Sequence, residues 1–307
     1  MKPGQKPPRQ TTVAVIGLGN WGTSLAATLS RENILGEIIV RRRKPSAPPC
    51  DVSRIVTWTR ASLDARVLWL CVPDSAISGV ASEITRRRPD LRGQIVVHSS
   101  GALTVDALDS ARRAGAAVAS VHPVMTFPTR QPVTLASVLF AVESPDPATR
   151  RTLHGLVRKL GGLPFDIASK NKALYHAAGT LASPLLVSEL TAAIETARLA
   201  GLDRKTAARW VEALATATSR NLFSRGASRS FSGPFARGDA PTIRLHLQAL
   251  HAHPILADLY RSLALHALAT LPVRNDQALL EALRNSSAQK PHEQPGKTPR
   301  RASRMRN

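Results

Sequence analysis

The feature that most constrains the fold is a short apolar segment that runs directly into a glycine-rich turn near the start of the chain. Residues 13–16, with the sequence VAVI, have the unbroken apolar character of a strand that is buried on both faces of a parallel sheet. Glycines follow at the spacing GxGxxG, which permits a tight turn, close approach of a phosphate and close packing of the next helix. We predict a dinucleotide-binding unit. The alternative is a glycine-rich turn that holds no ligand.

The residues of this turn are predicted to bind the cofactor, because amide groups at the N-terminus of a helix attract phosphate. The helix itself is predicted from about Trp21 to Ser30. The predicted cofactor-binding residues of the turn are Gly17, Leu18, Gly19, Asn20, Trp21 and Gly22.

Apolar segments alternate with helical segments through the first half of the chain, as in an α/β Rossmann-type doubly wound sheet. The second half has the long Ala- and Leu-rich periodicity of an all-α domain, with a kink expected at Pro184. Strands are predicted at 13–17, 37–40, 66–72, 94–98, 117–122 and 138–142, and helices at 75–87, 104–114, 147–160, 172–199, 204–222, 240–252 and 254–270. The predicted segments are a disordered basic tail (1–10), a Rossmann-type NAD(P)-binding domain (11–168), a helical domain (169–283) and a second disordered basic tail (284–307).

The formal charge of +21 does not indicate a dedicated nucleic-acid partner, because the two predicted tails carry +9 of it. The rest is spread over the folded body without the aromatic and basic pattern of a stacking surface, so nonspecific adhesion to polyanions is the expectation. Two cysteines, Cys50 and Cys71, form neither a disulfide framework nor a metal site. We find no apolar stretch of membrane-span length and expect a cytoplasmic protein without a membrane partner.

The end of the second strand indicates which cofactor is bound. NAD-binding folds place an Asp or Glu there to bind the ribose hydroxyls, whereas this chain has Arg41, Arg42 and Arg43. Guanidinium groups suit the 2′-phosphate of NADP, so NADP is predicted and NAD is the less favoured cofactor. A solvated basic loop is the alternative.

Candidate site residues follow three strands, because ligands in such sheets bind beyond the carboxyl ends of the strands. Val72 and Pro73 are predicted to contact the cofactor. His122 could orient or protonate a substrate oxygen, or be a packed turn residue. The predicted substrate-binding residues are Ser99, Ser100 and Gly101, whose alternative role is to cap the helix that follows.

The helical half contributes a second group of candidates. Lys172, His176, Gly179 and Ser183 are spaced to share one helix face, where Lys172 or His176 could donate a proton and Ser183 could bind substrate. The alternative is an exposed Lys followed by a His with structural partners. Arg237 could bind a substrate carboxylate in the loop that precedes a helix capped by Asp239.

These motifs together resemble a known family. GLGNWG, VPDSAI, HSSGAL, SVHPVMTF, KALYHAAGTLASPLL and GPFARGDAPTIRLHLQAL, in this order over residues 11–270, resemble a bacterial family of uncharacterised oxidoreductases. Its members have a Rossmann-like N-terminal domain and a helical C-terminal domain of unknown function. The family is similar to pyrroline-5-carboxylate reductases, ketopantoate reductases, β-hydroxyacid dehydrogenases and prephenate dehydrogenases, within the 6-phosphogluconate-dehydrogenase C-terminal-domain-like superfamily.

The resemblance implies an NADP-preferring oxidoreductase that acts on a small carboxylate-bearing keto, hydroxy or imino substrate. It also implies a homodimer formed through the helical domain. Lys172 matches a catalytic Lys of the β-hydroxyacid relatives, although His176 stands where those relatives have Asn, and His122 matches a His-Pro of the prephenate relatives. Because that Asn is missing, the alternative is a catalytically inactive NADP-binding sensor or regulatory protein.

Overall fold

The computed structural model describes residues 12–42 and 52–285. The predicted tail 1–10, Arg43 and residues 286–307 of the second tail lie outside the described residues. Contacts divide the chain into two compact units, Met1–Pro184 and Leu185–Asn307. The predicted fold class is confirmed, because the first unit contains one large sheet and the second is helical. This division falls after Pro184, whereas the sequence places the domain boundary at residue 168.

One eight-stranded sheet forms the centre of the first unit, in the order β3-β2-β1-β4-β5-β6-β7-β8. Neighbouring strands are parallel except for β6 and β7, which are antiparallel. Because β1 lies between β2 and β4, the chain reverses direction across the sheet at the end of β1, where such sheets bind ligands. The strands are β1 (Val13–Ile16), β2 (Leu35–Val40), β3 (Ile55–Thr57), β4 (Val67–Leu70), β5 (Ile95–His98), β6 (Ala117–Pro123), β7 (Leu139–Glu143) and β8 (Leu163–Asp166).

Alternate residues of the central strands pack on opposite faces of the sheet. Val13 and Val15 belong to one buried cluster, with Trp69 of β4, whereas Ala14 and Ile16 belong to the cluster on the other face. Burial of apolar side chains on both faces explains why β1 is an unbroken apolar run.

Helices cover this sheet and begin where the sequence supplies caps. Asp146 accepts hydrogen bonds from the amides of Ala148 and Thr149, and Pro147 follows at the first helical position, so α4 begins there. The helices up to residue 182 are α1 (Asn20–Arg31), α2 (Ile77–Arg87), α3 (Asp109–Arg113), α4 (Pro147–Lys159) and α5 (Lys172–Ala182).

The second unit is helical and has a core of its own around Ile243, Leu247 and Leu279. Asp203 and Asp239 cap α7 and α10 through their carboxylates, and the cap predicted for Asp239 is therefore present. The remaining helices are α6 (Pro184–Leu199), α7 (Arg204–Arg225), α8 (Ala227–Ser230), α9 (Pro234–Arg237), α10 (Ala240–Ala249), α11 (Pro254–Thr270) and α12 (Asp276–Asn285).

Several predicted elements differ from the structure. The strands β3 and β8 were not predicted, since each is short and β8 contains Pro164. The helix predicted over 104–114 is a 3-10 turn, Val105–Leu108, followed by the short α3. The helix predicted over 172–199 is broken rather than kinked, because Ser183 leaves the helical region (φ −131°, ψ −86°) and Pro184 lacks an amide donor.

The expectation that no apolar stretch has the length of a membrane span is wrong. Ser169–Leu199 meets that length and has an 18-residue window of mean hydropathy 1.4, none of which is buried. The segment qualifies as a candidate membrane span by length and composition alone. Its helix is interrupted at Ser183. The protein consequently has an exposed apolar surface on α5 and α6.

Candidate active site

Two glycines of the turn are required by contacts inside the protein. Gly17 has φ +103°, and an ideal Cβ on it would lie 2.5 Å from the carbonyl oxygen of Cys71. A Cβ on Gly22 would lie 2.1 Å from the carbonyl oxygen of Gly17, so α1 packs on the turn only without a side chain there. Gly19 differs, because it has φ −80° and a Cβ on it would meet nothing within 4 Å. The backbone at Gly19 is therefore open to a ligand.

A cleft of about 1430 Å³ opens beside the turn, at the carboxyl ends of β1, β2 and β4. Most of the predicted cofactor-binding residues meet in this one cleft. Those that line it are Gly17, Leu18, Gly19, Arg41, Arg42, Val72 and Pro73.

Further basic residues that the sequence analysis did not single out also line the cleft. These residues are Arg87 and Arg130. Trp58 also lines the cleft, and its ring centroid lies 5.6 Å from Arg87 Cζ. The acidic residue Glu83 lines it as well, but it is paired with Arg87 at 2.5 Å. The cleft therefore carries excess positive charge, which suits a polyanionic ligand.

Asn20 and Trp21 were predicted to bind cofactor, but their side chains are engaged within the protein. Asn20 Nδ2 donates to the carbonyl oxygen of Phe127 at 2.7 Å, and Trp21 Nε1 donates to Ser99 Oγ at 2.8 Å. The buried Trp69 donates to the same Ser99 oxygen at 2.7 Å. The backbone amides of Asn20 and Trp21 stay available to a ligand, and Ser99 serves first as the acceptor for two indoles.

Because Thr104 caps the 3-10 turn that follows, Ser100 does not have the helix-capping role that was the alternative to substrate binding. Its Oγ accepts hydrogen bonds from the amides of Ala102 and Leu103 at 3.2 and 2.9 Å and donates to Asp74 Oδ2 at 2.6 Å. The residue is 4% exposed. Its hydroxyl therefore holds the turn after β5 in place, and contact with a substrate stays a prediction.

Lys172 is buried rather than exposed, with 1% of its surface accessible. Its Nζ pairs with Glu143 Oε2 at 3.0 Å and donates to the Ser100 carbonyl oxygen at 3.0 Å and to Ser120 Oγ at 2.5 Å. Nζ thus donates two hydrogen bonds, and its contact with Glu143 Oε2 is an ion pair, because that oxygen has no hydrogen-bond partner among the described residues. Burial lowers the pKa of Lys172, and the Glu143 carboxylate opposes that shift. Because Lys172 is buried and its ammonium is held by Glu143, Ser100 and Ser120, a catalytic role for it stays a prediction.

Two of these partners, Ser120 and Glu143, lie side by side in the sheet. In the strand register, His98 of β5 lies beside Ser120 of β6, and Ser120 lies opposite Glu143 of β7. The second carboxylate oxygen of Glu143 accepts hydrogen bonds from Ser169 Oγ at 2.7 Å and the Val105 amide at 3.2 Å. The ammonium and carboxylate are thus buried together with polar partners on both sides.

His98 is a structural residue. It is fully buried, its Nε2 donates to the Thr104 carbonyl oxygen at 3.1 Å, and its Nδ1 accepts from the Ser100 amide at 3.1 Å. Burial, followed by the charge of Lys172, lowers the pKa of His98 to about 4. It is therefore neutral at pH 7.

His122 and His176 meet at Gly101. The two imidazole centroids are 6.0 Å apart, and an ideal Cβ on Gly101 would lie 2.9 Å from His122 Nε2 and 2.5 Å from His176 Cδ2. His122 Nδ1 lies 2.7 Å from the Tyr175 hydroxyl. Burial, then His176 and Lys172, lowers the pKa of His122 to about 4, so it is neutral at pH 7 and not the cationic acid that the sequence suggests.

The other candidates are not brought to this cluster by a described contact. Ser183 lies at the break between α5 and α6, and a Cβ on Gly179 would meet nothing within 4 Å. Arg237 is exposed in α9 of the second unit, so its contact with a substrate stays a prediction.

Besides the cleft residues Trp58, Arg87 and Arg130, three residues around Lys172 and His122 were not predicted from the sequence: Ser120, Glu143 and Tyr175. Glu143 has a detectable signal, because a carboxylate that ends an apolar strand needs a buried partner. Tyr175 lies beside His176 in the motif KALYHAAG and could have been weighed with it. Ser120 has no such signal, since a serine within a strand is ordinary.

Two family models match the chain. One, described as a Rossmann-like domain, matches residues 2–123, and the other, described as a domain of unknown function, DUF2520, matches residues 138–267. The chain thus matches a Rossmann-like model in its first half and the DUF2520 model in its second. His98, Ser100 and His122 lie in the Rossmann-like match, whereas Lys172 and Tyr175 lie in the DUF2520 match, so both contribute to the cluster. No protein of curated function matches the chain.

Similar solved structures extend over most of both chains. A Bacteroides fragilis protein named as a candidate NADP oxidoreductase has a TM-score of 0.67 and 19% identity, covering 83% of this chain and 96% of its own. A reductive aminase from Aspergillus terreus, solved with NADPH and ethyl-5-oxohexanoate, has a TM-score of 0.61 and 15% identity. The match covers 90% of this chain and 100% of the aminase. Plasmodium falciparum pyrroline carboxylate reductase, solved with NADP, has a TM-score of 0.57 and 13% identity. The match covers 91% of this chain and 97% of the reductase. These likenesses establish a shared fold.

We predict that loss of Lys172 alone destabilises the protein more than loss of the whole ion pair. Lys172→Met leaves the Glu143 carboxylate buried without its partner, which costs about 3–5 kcal/mol. The double variant Lys172→Met/Glu143→Gln removes both charges and should regain most of that loss. Guanidinium unfolding of the wild type, both single variants and the double variant measures the coupling. Additive losses would contradict it.

We also predict that the free energy of unfolding falls as the pH drops from about 6.5 to about 4. The folded pKa of His98 lies below its ordinary value, so the unfolded chain takes up a proton first. This contribution is complete above pH 6.5 and on the order of 3 kcal/mol. Unfolding at pH 7, 6 and 5 should show a smaller decline for His98→Gln than for the wild type. An equal decline in both proteins would show that His98 does not cause the loss of stability at low pH.

Proposed function

We propose that the chain is an oxidoreductase that binds NADP, in preference to NAD, in the cleft beside the glycine turn. The observation that carries this proposal is that open backbone at Gly19 and the arginines after β2 line the same cleft. A pyrophosphate fits such a turn, since it needs close backbone contact and the N-terminus of α1. The NADP and NADPH complexes of the structural neighbours support the proposal.

The preference for NADP is inferred from the charge after β2. Arg41 and Arg42 are exposed there, where an NAD-binding fold has a carboxylate for the ribose hydroxyls. Glu37, within β2, does not fill that role, because its oxygens accept hydrogen bonds from Ser62 and the Leu63 amide. Guanidinium groups form bidentate contacts with a 2′-phosphate.

The proposed reaction is reduction or oxidation of a small carboxylate-bearing keto, hydroxy or imino compound. NADPH supplies a hydride when it is bound. The chain would supply hydrogen bonds to the substrate oxygen or nitrogen from His122 and His176, beside the turn at Gly101. Ser183 is proposed to hold the substrate, and Lys172 is assigned to holding the strand ends together.

The cofactor assignment predicts a selective effect of Arg42→Ser. Loss of a charge-assisted contact to the 2′-phosphate should weaken NADPH binding by about 10- to 100-fold and leave NADH binding nearly unchanged. Calorimetric or fluorescence titration of the purified protein measures both affinities. Arg158→Ser is the matched control, because Arg158 is exposed on α4 and does not line the cleft.

Gly19→Ala tests the same cleft without disturbing the protein. Since an added Cβ would meet no protein atom within 4 Å, the variant should fold like the wild type and still bind both dinucleotides more weakly. Gly155→Ala is equally free of contacts and serves as its control. Wild-type protein that binds neither NADPH nor NADH would remove the proposal. Equal weakening of both cofactors by Arg42→Ser would remove only the preference for NADP.

Turnover separates the enzyme from the alternative, a catalytically inactive NADP-binding sensor. A panel of small keto acids, hydroxy acids and cyclic imines is incubated with the protein and NADPH or NADP, and absorbance of the reduced cofactor is followed. A reductase changes that absorbance in a substrate-dependent way. A sensor binds NADPH and leaves it unchanged throughout the panel.

We further propose that the protein is a homodimer formed through its helical domain. Large apolar side chains are exposed there, including Phe223 at 88% and Ile255 at 84%. A monomer seldom leaves so much apolar surface in water. The exposed residues of α5 to α7 include Leu174, Leu181, Val187, Trp210 and Leu214.

The dimer proposal predicts a mass of twice 33.0 kDa in size-exclusion chromatography with light scattering. Phe223→Ser should weaken the dimer by about 10-fold or more, because a buried aromatic anchor is lost. Leu163→Ser is the control, as Leu163 is exposed at the sheet edge in β8. A monomeric wild-type protein at micromolar concentration would refute the dimer.

A further inference from the structure

Tyr175 reaches His122 from α5 and closes one side of its imidazole ring. The tyrosine hydroxyl lies 2.7 Å from His122 Nδ1, and the two rings meet edge to face with centroids 5.7 Å apart. Phe165 packs on the tyrosine ring at 6.1 Å, which fixes its position. The other ring nitrogen, Nε2, lies on the side of Gly101, where an ideal Cβ would be 2.9 Å from it.

The chemistry of the two groups decides which one donates. A phenol is a stronger acid than a neutral imidazole N–H, and the imidazole lone pair is the stronger base, so the Tyr175 O–H donates to Nδ1. Among residues 12–42 and 52–285, the hydroxyl of Tyr175 has no second hydrogen bond that would compete. The ring proton of His122 is then on Nε2.

Both groups are neutral at pH 7. Burial lowers the pKa of His122 to about 4 and raises the pKa of Tyr175 to about 12. His176 and Lys172 push the His122 pKa down, whereas Asp74 opposes them. An imidazole in this state is a hydrogen-bond donor without charge.

We propose that Tyr175 is a positioning residue that holds His122 in its Nε2–H tautomer, so that this N–H donates to the oxygen or nitrogen of the substrate double bond. The inference rests on the proposed reductase function. A hydride from NADPH adds to the substrate carbon, the π bond breaks, and its electron pair moves to the oxygen or nitrogen. The hydrogen bond donated by His122 Nε2–H stabilises the negative charge that develops on that atom, and water supplies the proton that completes the product.

The chain contains a matched control for this contact. In the second unit, His246 Nδ1 lies 2.8 Å from the Tyr260 hydroxyl, with ring centroids 5.9 Å apart. Tyr260→Phe therefore removes the same hydroxyl from the same kind of pair, outside the proposed site. Both Phe variants keep the aromatic ring and its packing.

Nitrogen-15 NMR of the histidine-labelled full-length protein tests the tautomer directly. His122→Gln assigns the His122 signals. In the wild type we expect the proton on Nε2, and in Tyr175→Phe a mixture of tautomers with a raised His122 pKa, since a bond to the neutral form is lost. Tyr260→Phe should leave His122 unchanged. A wild-type proton on Nδ1, or a tautomer unaffected by Tyr175→Phe, overturns the inference.

Turnover supplies the second readout, with whichever member of the keto-acid and imine panel is reduced. Tyr175→Phe should lower kcat by about 10-fold or more with KM nearly unchanged, because the lost orientation matters most in the transition state. Tyr260→Phe should keep the wild-type kcat. An unchanged kcat in Tyr175→Phe overturns the inference. A wild type that binds NADPH and reduces nothing overturns the proposed reductase, and the NMR result still decides the tautomer.

Discussion

The buried ion pair between Lys172 and Glu143 is the interaction on which the candidate site depends. It joins the first residue of α5 to the last residue of β7, and Lys172 also binds the turn after β5 and the middle of β6. A charge so buried is tolerable only with its full set of partners. Four elements that are distant in sequence are thereby held at one place, and the imidazoles, the tyrosine and Gly101 are arranged around it.

The sequence predicts the parts of this molecule in which local pattern and tertiary packing agree. The apolar run at residues 13–16 and the three glycines after it describe both a strand and the turn that it must enter. Pro254–Thr270 was predicted with the bounds that the structure has, because a proline begins it and its helical periodicity is unbroken. Arg41 and Arg42 were placed correctly in the cleft, since only their position after β2 was needed.

Partners that meet across the sheet could not be predicted in the same way. Lys172 stands at a helix start, where lysines are ordinarily solvated, and its pairing with Glu143 follows only when β7 is known to run antiparallel to β6. Ser99 is a similar case, because its role depends on two indoles, Trp21 and Trp69, that reach it from different elements. These contacts depend on the register between strands and on side-chain rotamers, and the spacing of apolar residues in the sequence specifies neither.

Two side-chain contacts join α5 to β6, and together they fix the residue spacing in both elements. Lys172 meets Ser120, and Tyr175 meets His122, so three residues of helix run beside two residues of strand. Three helical residues rise about 4.5 Å and two strand residues about 6.6 Å, a difference that side-chain length absorbs. One residue inserted between the two contacts in either element would put them out of step. The loops around this site can therefore vary in length, whereas the spacing between the two contacts is fixed in both α5 and β6.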